Sequence, residues 1–178
     1  NNGYETYCYN LQCPGFVRMN ANINLGMSLE PVSTYGGQQY DIDLEIFQDR
    51  GTKNWWLRLH GVLLGYWPSS IVPQLHDGAQ IHNFGGEILN KKPPGQHTGT
   101  QMGSGHFAHE GFMKSAFFKN ILIANSEDPW RYTSPTRGDA YTIITHPYCY
   151  DLEVAHNVEL QWGYYFFYGG PGRSASCP

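Results

Sequence analysis

Fifteen acidic residues, eight histidines and four cysteines are the groups with which this chain could do chemistry. Glu87 is set apart from the other carboxylates by what precedes it. In Asn83 to Asn90, NFGGEILN, two glycines stand directly before a lone glutamate. Glycine weakens a strand interior, and there it often marks a bulge or the close approach of a ligand or another backbone. The plain reading is a bulge at a sheet corner followed by a surface carboxylate. The sharper reading is that something has to come close to Glu87.

Two other kinds of site are considered and set aside. In MGSGHF, Ser104 stands two residues before His106. A G-x-S-x-G nucleophile elbow needs a strand-to-helix turn, and nothing helical follows. Residues two apart on a strand share a face without making a Ser–His hydrogen bond, so a serine hydrolase is disfavoured. His97, His106 and His109 are the closest histidines, but HTGTQMGSGHFAHE lacks the helical H-E-x-x-H register. Strand parity would put His97 and His106 on opposite faces. Histidines hydrogen-bonded near turns are the simpler account, and neither a metal nor a cofactor is expected.

The cysteines are Cys8, Cys13, Cys149 and Cys177. Three pairings are possible, and the clustering favours Cys8–Cys13 with Cys149–Cys177. Such bonds would contribute about 2 kcal/mol for the short loop and about 3 to 4 kcal/mol for the long one on a chain-entropy argument. Zinc is the rival reading, but no C-x-x-C and no matching histidine pair is visible beside these cysteines. Disulfides point to an oxidising compartment and to a secreted, extracellular protein.

The elements that would carry these groups are strands. Aromatic residues make up 15% of the chain, with 13 Tyr and 21 Gly, a composition suited to cross-strand aromatic pairs and tight turns. From Tyr40 to Ile46, YDIDLEI alternates strictly, with Tyr40, Ile42, Leu44 and Ile46 on the face expected to be buried. NWWLRLHGVLLGYWP reads as one longer strand ending at Pro68. Further strands are expected over Phe16–Asn24, Gly26–Glu30, Ala79–Asn90, Thr98–Phe107, Phe112–Ala124, Cys149–Ala155 and Leu160–Tyr168. The last is nearly all aromatic and should be central to the core. PSSIVPQLHDGA is the one helix-like piece, and KKPPGQ and SEDPWRYTSPTRGDA are loops by their Pro, Gly and Ser content.

At 178 residues the chain fits a single domain, residues 1–178, burying roughly 70% of its unfolded surface. Many short strands around one core predict an all-β antiparallel β-sandwich, stabilised by disulfides. The net charge of −4 and the lack of any Lys/Arg cluster argue against nucleic acid and anionic membrane as partners. No apolar run approaches the roughly 20 residues of a membrane helix. The opening at Asn1, in mid-pattern, reads as that of a processed or truncated product.

Taken together, CYNLQCPGFV (from Cys8), YGGQQY (from Tyr35), NWWL (from Asn54), GYWP (from Gly65), GGE (from Gly85), HTGTQMGSGHF (from His97), EGF (from Glu110) and FYGGPG (from Phe167) resemble the plant neprosin family of glutamic endopeptidases. The resemblance runs from about Cys8 to the C-terminus in family order. It implies a secreted antiparallel sandwich in which a pair of glutamates activates water to cleave peptide bonds next to proline, best in acid. Glu87 matches the glutamate of the family's Trp-Gly-Gly-Glu segment, with Phe84 in place of Trp. The paired cysteines match as well.

On this reading Gly85 and Gly86, with Phe84, make room for a substrate peptide beside the Glu87 carboxylate, and Gln101 is a candidate oxyanion donor. The family's other catalytic glutamate, in an Ile-Glu-Ala-Gly-Trp context, falls upstream of the Cys8 match. The chain is therefore expected to lack N-terminal strands of the domain, which a companion N-terminal chain would supply if they were not simply left out. Glu5, Asp41, Asp43 and Glu45 are substitutes for that glutamate, though their expected place is a solvent face. The alternative is an inactive sandwich that binds peptide or cell-wall carbohydrate through its Trp and Tyr residues.

Overall fold

The computed structural model describes residues 10–124, 128, 131–136, 138–155 and 161–178. Among them every strand pairing is antiparallel, and the helical pieces are three short 3-10 turns. The chain is all-β. It gathers into two compact units, one of residues 1–33 and 39–82, the other of residues 34–38 and 83–178.

The first unit is a four-stranded sheet in the order β1-β4-β3-β2, with β1 at Val17–Arg18, β2 at Leu44–Gln48, β3 at Trp55–Leu59 and β4 at Val62–Trp67. The single long strand expected up to Pro68 is instead a hairpin. His60 and Gly61 have φ of 46° and 77°, the two left-handed residues that a two-residue type I′ turn requires. Apolar residues flank that dipeptide so closely that the turn is hidden in the sequence. The reversal sets Trp56 against Tyr66, ring centroids 4.7 Å apart. Where a helix-like piece was expected, two 3-10 turns form at Ser69–Ile71 and Pro73–Leu75. Trp55 Nε1 (3.1 Å) and Gln48 Nε2 (2.9 Å) donate to the Leu75 carbonyl and tie the second turn to the sheet.

Two expectations for this unit fail. The strand from Phe16 to Asn24 shrinks to Val17–Arg18, because Asn20 Oδ1 accepts the amides of Asn22 and Ile23 and turns the chain. No strand forms over Gly26–Glu30. The alternating face is also not buried: Leu44 and Ile46 are 57% and 60% exposed, and Tyr40 and Ile42 are exposed as well. Alternation reports that one face is apolar, and β2 is the edge of its sheet.

The second unit centres on a three-stranded sheet in the order β5-β9-β8, with β5 at Ala116–Phe118, β8 at Asp151–Ala155 and β9 at Tyr165–Gly169. As expected, β9 is its buried centre: Tyr165, Phe166 and Phe167 are 2%, 4% and 7% exposed. A two-stranded ladder pairs β6 (Ile123–Ala124) with β7 (Tyr132–Thr133). The strand expected over Phe112–Ala124 is split into β5 and β6 by Asn120, which adopts φ of 51°. Ala79–Asn90 and Thr98–Phe107 are not strands; of the second, only Met102 bridges to Gly170. Parts of the SEDPWRYTSPTRGDA loop and the start of the Leu160–Tyr168 segment lie outside the described residues.

Cys149 and Cys177 form a disulfide with Cα atoms 5.2 Å apart, buried beside Tyr150. Cys13 is disulfide-bonded, but the pairing expected for it falls on Cys8, which lies outside the described residues.

Candidate active site

Glu87 owes its position to three contacts made by its neighbours. Phe84 lays its ring edge-on to Phe118 of β5 at 6.1 Å, and Phe118 in turn stacks on Phe166 of β9 at 5.1 Å. Two residues on, Gly86 lies against Met102 and the Tyr168 ring; a Cβ there would fall 2.6 Å from Met102 Cγ. Two residues further, Ile88 packs with Met102 onto the buried cluster of Cys149, Tyr150 and Cys177. Every second residue is thus turned inward. Glu87, between two of them, is exposed.

The two glycines therefore do different things. Gly86 is required by the protein's own packing, because Met102 and Tyr168 occupy the space of a side chain. Gly85 faces open space, with no atom within 4 Å of the position its Cβ would take. Of the pair expected to clear room for a ligand, Gly85 alone leaves room. The aromatic floor is dry enough for burial to push the Tyr168 and Tyr150 hydroxyls above their ordinary pKa.

Gln101 immediately precedes Met102, so the contact of Met102 with Gly86 draws the Gln101 and Glu87 segments together. Gln101 is exposed, and its amide folds back onto Gly105, where a Cβ would meet it at 2.7 Å.

A second group of ionisable side chains was not foreseen. Glu110 accepts hydrogen bonds from Tyr35 Oη and His106 Nδ1, each at 3.0 Å, and the Tyr35 and His106 rings lie 4.3 Å apart. Gly36 N–H donates to Met113 O at 2.8 Å and holds the Tyr35 segment in this unit. Desolvation, the largest influence on Glu110, pushes its carboxyl up. The bonds from Tyr35 and His106, with the charge of His106, outweigh it and leave the pKa below the ordinary value. The sequence signal was the four-residue spacing of His106 and Glu110, which was passed over while Ser104 was weighed as His106's partner. Ser104 Oγ instead receives the His106 amide, at 3.4 Å. Asp151, at the start of β8, accepts the Ala108 amide at 2.6 Å and lies 3.8 Å from His109 Nδ1.

Of the carboxylates considered as a second catalytic acid, Glu45 pairs with Arg58 in the first unit, and Asp41 and Asp43 belong to that unit too. Glu5 lies outside the described residues. His97 is buried against the disulfide, away from any set with His106 and His109.

The sequence model of the Neprosin family matches residues 1–171. The chain belongs to the Neprosin family. Nearly the whole length is covered, so Glu87, the aromatic floor and the Tyr35–His106–Glu110 cluster all fall inside the family's own domain. Membership in the Neprosin family carries an association with peptidase activity, and the all-β antiparallel sheets with a disulfide agree with it. No helix among the described residues is long and apolar enough to cross a membrane.

Proposed function

We propose that this chain is part of a secreted glutamic endopeptidase that cleaves peptide bonds next to proline in acid, with Glu87 as one of its two water-activating carboxylates. The observation that carries the reading is the placement of Glu87. Its flanking residues are packed inward, its carboxylate is held outward, and the backbone beside it at Gly85 is bare. An extended substrate peptide needs such an approach. Amide hydrolysis by two carboxylates needs one ionised to take a proton from water and one protonated to give a proton to the leaving amine. Glu87 is one of the two, and the family's upstream glutamate is the other. Gln101, adjoining the contact between Met102 and Gly86, is the oxyanion donor in this scheme.

The test is Glu87→Gln in the longest natural form of the protein, assayed at acid pH on proline-containing peptides. The amide keeps the size and hydrogen-bonding capacity of the side chain but removes its ionisation, so cleavage should fall about 10²- to 10⁴-fold while Tm holds. Wild-type protein that binds peptide or glycan without cleaving any would turn the reading to a binding module.

A further inference from the structure

The fold completes a set of metal-ligating side chains that the sequence kept apart. His97 is 7% exposed, and its ligand nitrogens and the sulfurs of Cys149 and Cys177 lie within 4.8 Å of one another. His97 Nδ1 is 3.0 Å from the Thr98 carbonyl. Donation there fixes the tautomer that leaves Nε2 as the free ligand atom, the outer-shell arrangement usual for metal-bound histidine. His146 has its ring centroid 5.1 Å from that of His97. It stands three residues before Cys149, in a turn where the amides of Cys149 and Tyr150 both donate to His146 O at 2.9 Å. The search for a histidine partner of the cysteines missed this H-x-x-C spacing, because it sought C-x-x-C first.

We propose that, when the Cys149–Cys177 disulfide is reduced, the two thiolates with His97 and His146 form a Cys2His2 site for Zn2+. A dithiol reductant supplies two electrons, the S–S bond breaks to two thiols, and the reductant leaves as its own disulfide. Zn2+ then displaces two protons as the thiols bind as thiolates. The geometry is within reach. Zn–S bonds of about 2.3 Å at a tetrahedral angle separate the sulfurs by about 3.8 Å, against about 2.0 Å in a disulfide. Rotation about the two Cα–Cβ bonds accommodates that change with the Cα atoms 5.2 Å apart.

The frame does not depend on the S–S bond alone. Arg173 N–H donates to Thr98 O (2.9 Å) and His97 N–H to Pro178 O (2.7 Å), so the C-terminal segment stays paired with the His97 segment. A cavity of about 590 Å³ lined by His97, His146 and both cysteines gives the ion an entry path, with Lys92 also on its wall. The ion would then do for the reduced chain what the disulfide does for the oxidised one.

The experiment is an anaerobic Co2+ titration of the dithiol-reduced chain carrying Cys8→Ser and Cys13→Ser, so that one cysteine pair remains. One equivalent of Co2+ should raise thiolate-to-cobalt charge-transfer and tetrahedral d–d bands, and Zn2+ should bleach them. His97→Ala and His146→Ala should each weaken Co2+ binding at least about tenfold, while the oxidised forms of both variants keep the wild-type Tm. The unreduced protein should show no such bands. Absence of the thiolate bands at one equivalent overturns the site, whether or not the reduced chain keeps its near-UV circular dichroism. Unchanged affinity in His97→Ala and His146→Ala overturns it as well.

Discussion

Strands β2 and β9 carry similarly apolar sequences and have opposite fates. Tyr165 to Phe167 in β9 are buried between β5 and β8, whereas Leu44 and Ile46 of β2 are more than half exposed at the edge of their sheet. Hydrophobic pattern tells which face of a strand is apolar. Position in the sheet and the layer above it decide whether that face is dry. The candidate site is built on the strand of the first kind: Phe84 and Gly86 rest on rings of β5 and β9, so the rigidity of β9 is passed to Glu87.

That contrast can be broken most forcefully at β9. Phe166 is 4% exposed and packs on Phe118 and Tyr168, so Phe166→Ala should cost about 3 to 5 kcal/mol in urea denaturation. A loss below about 1 kcal/mol would mean β9 is not the core strand described. Next comes the staple between the start of β8 and the C-terminal segment. Removing the 28-residue crosslink with Cys149→Ala and Cys177→Ala together should cost about 3 to 4 kcal/mol. Because Ile88 and Met102 pack on that cluster, Glu87 should be displaced as well, and any peptide cleavage should fall further than the change in Tm alone accounts for.

Smaller effects are expected where groups meet solvent. The Glu110 pKa is depressed in the folded state, so its contribution to stability is present above the unfolded value of about 4.3 and is lost as pH falls through the folded one. Glu110→Gln should therefore flatten the drop in Tm between about pH 5 and pH 3, without abolishing it, since Asp49 and Asp139 are depressed too. An unchanged slope would show that the bonds from Tyr35 and His106 do not bias Glu110 in solution. Least of all, Ile46→Ala should cost under about 1 kcal/mol. A cost like that of Phe166→Ala would show the β2 face to be covered in solution.

Much of this was readable from residue types, and the failures share a cause. The aromatic run of β9 named the core strand because nothing but burial accommodates so many rings in succession. The Ser69–Leu75 turns announced themselves through Pro68 and Pro73. The His60–Gly61 hairpin did not, because its turn residues sit inside an apolar run. Glu87 was marked by its glycines, yet the reason for Gly86 lies in Met102 and Tyr168, which are distant in sequence. Tyr35 and Glu110, or His97 and His146, become neighbours only through chain reversals that no local pattern encodes.

The claim at the centre is that the aromatic floor exists to present the Glu87 carboxylate to a peptide. Its most direct measurement is kcat/KM on a proline-containing peptide at acid pH for wild type, Glu87→Gln and Glu110→Gln, with Tm recorded for each. The account predicts a loss of about 10²- to 10⁴-fold for Glu87→Gln at unchanged Tm, and less than about tenfold for Glu110→Gln. Equal kcat/KM in wild type and Glu87→Gln would contradict it, leaving Glu87 a surface carboxylate beside a glycine that the packing of Met102 requires.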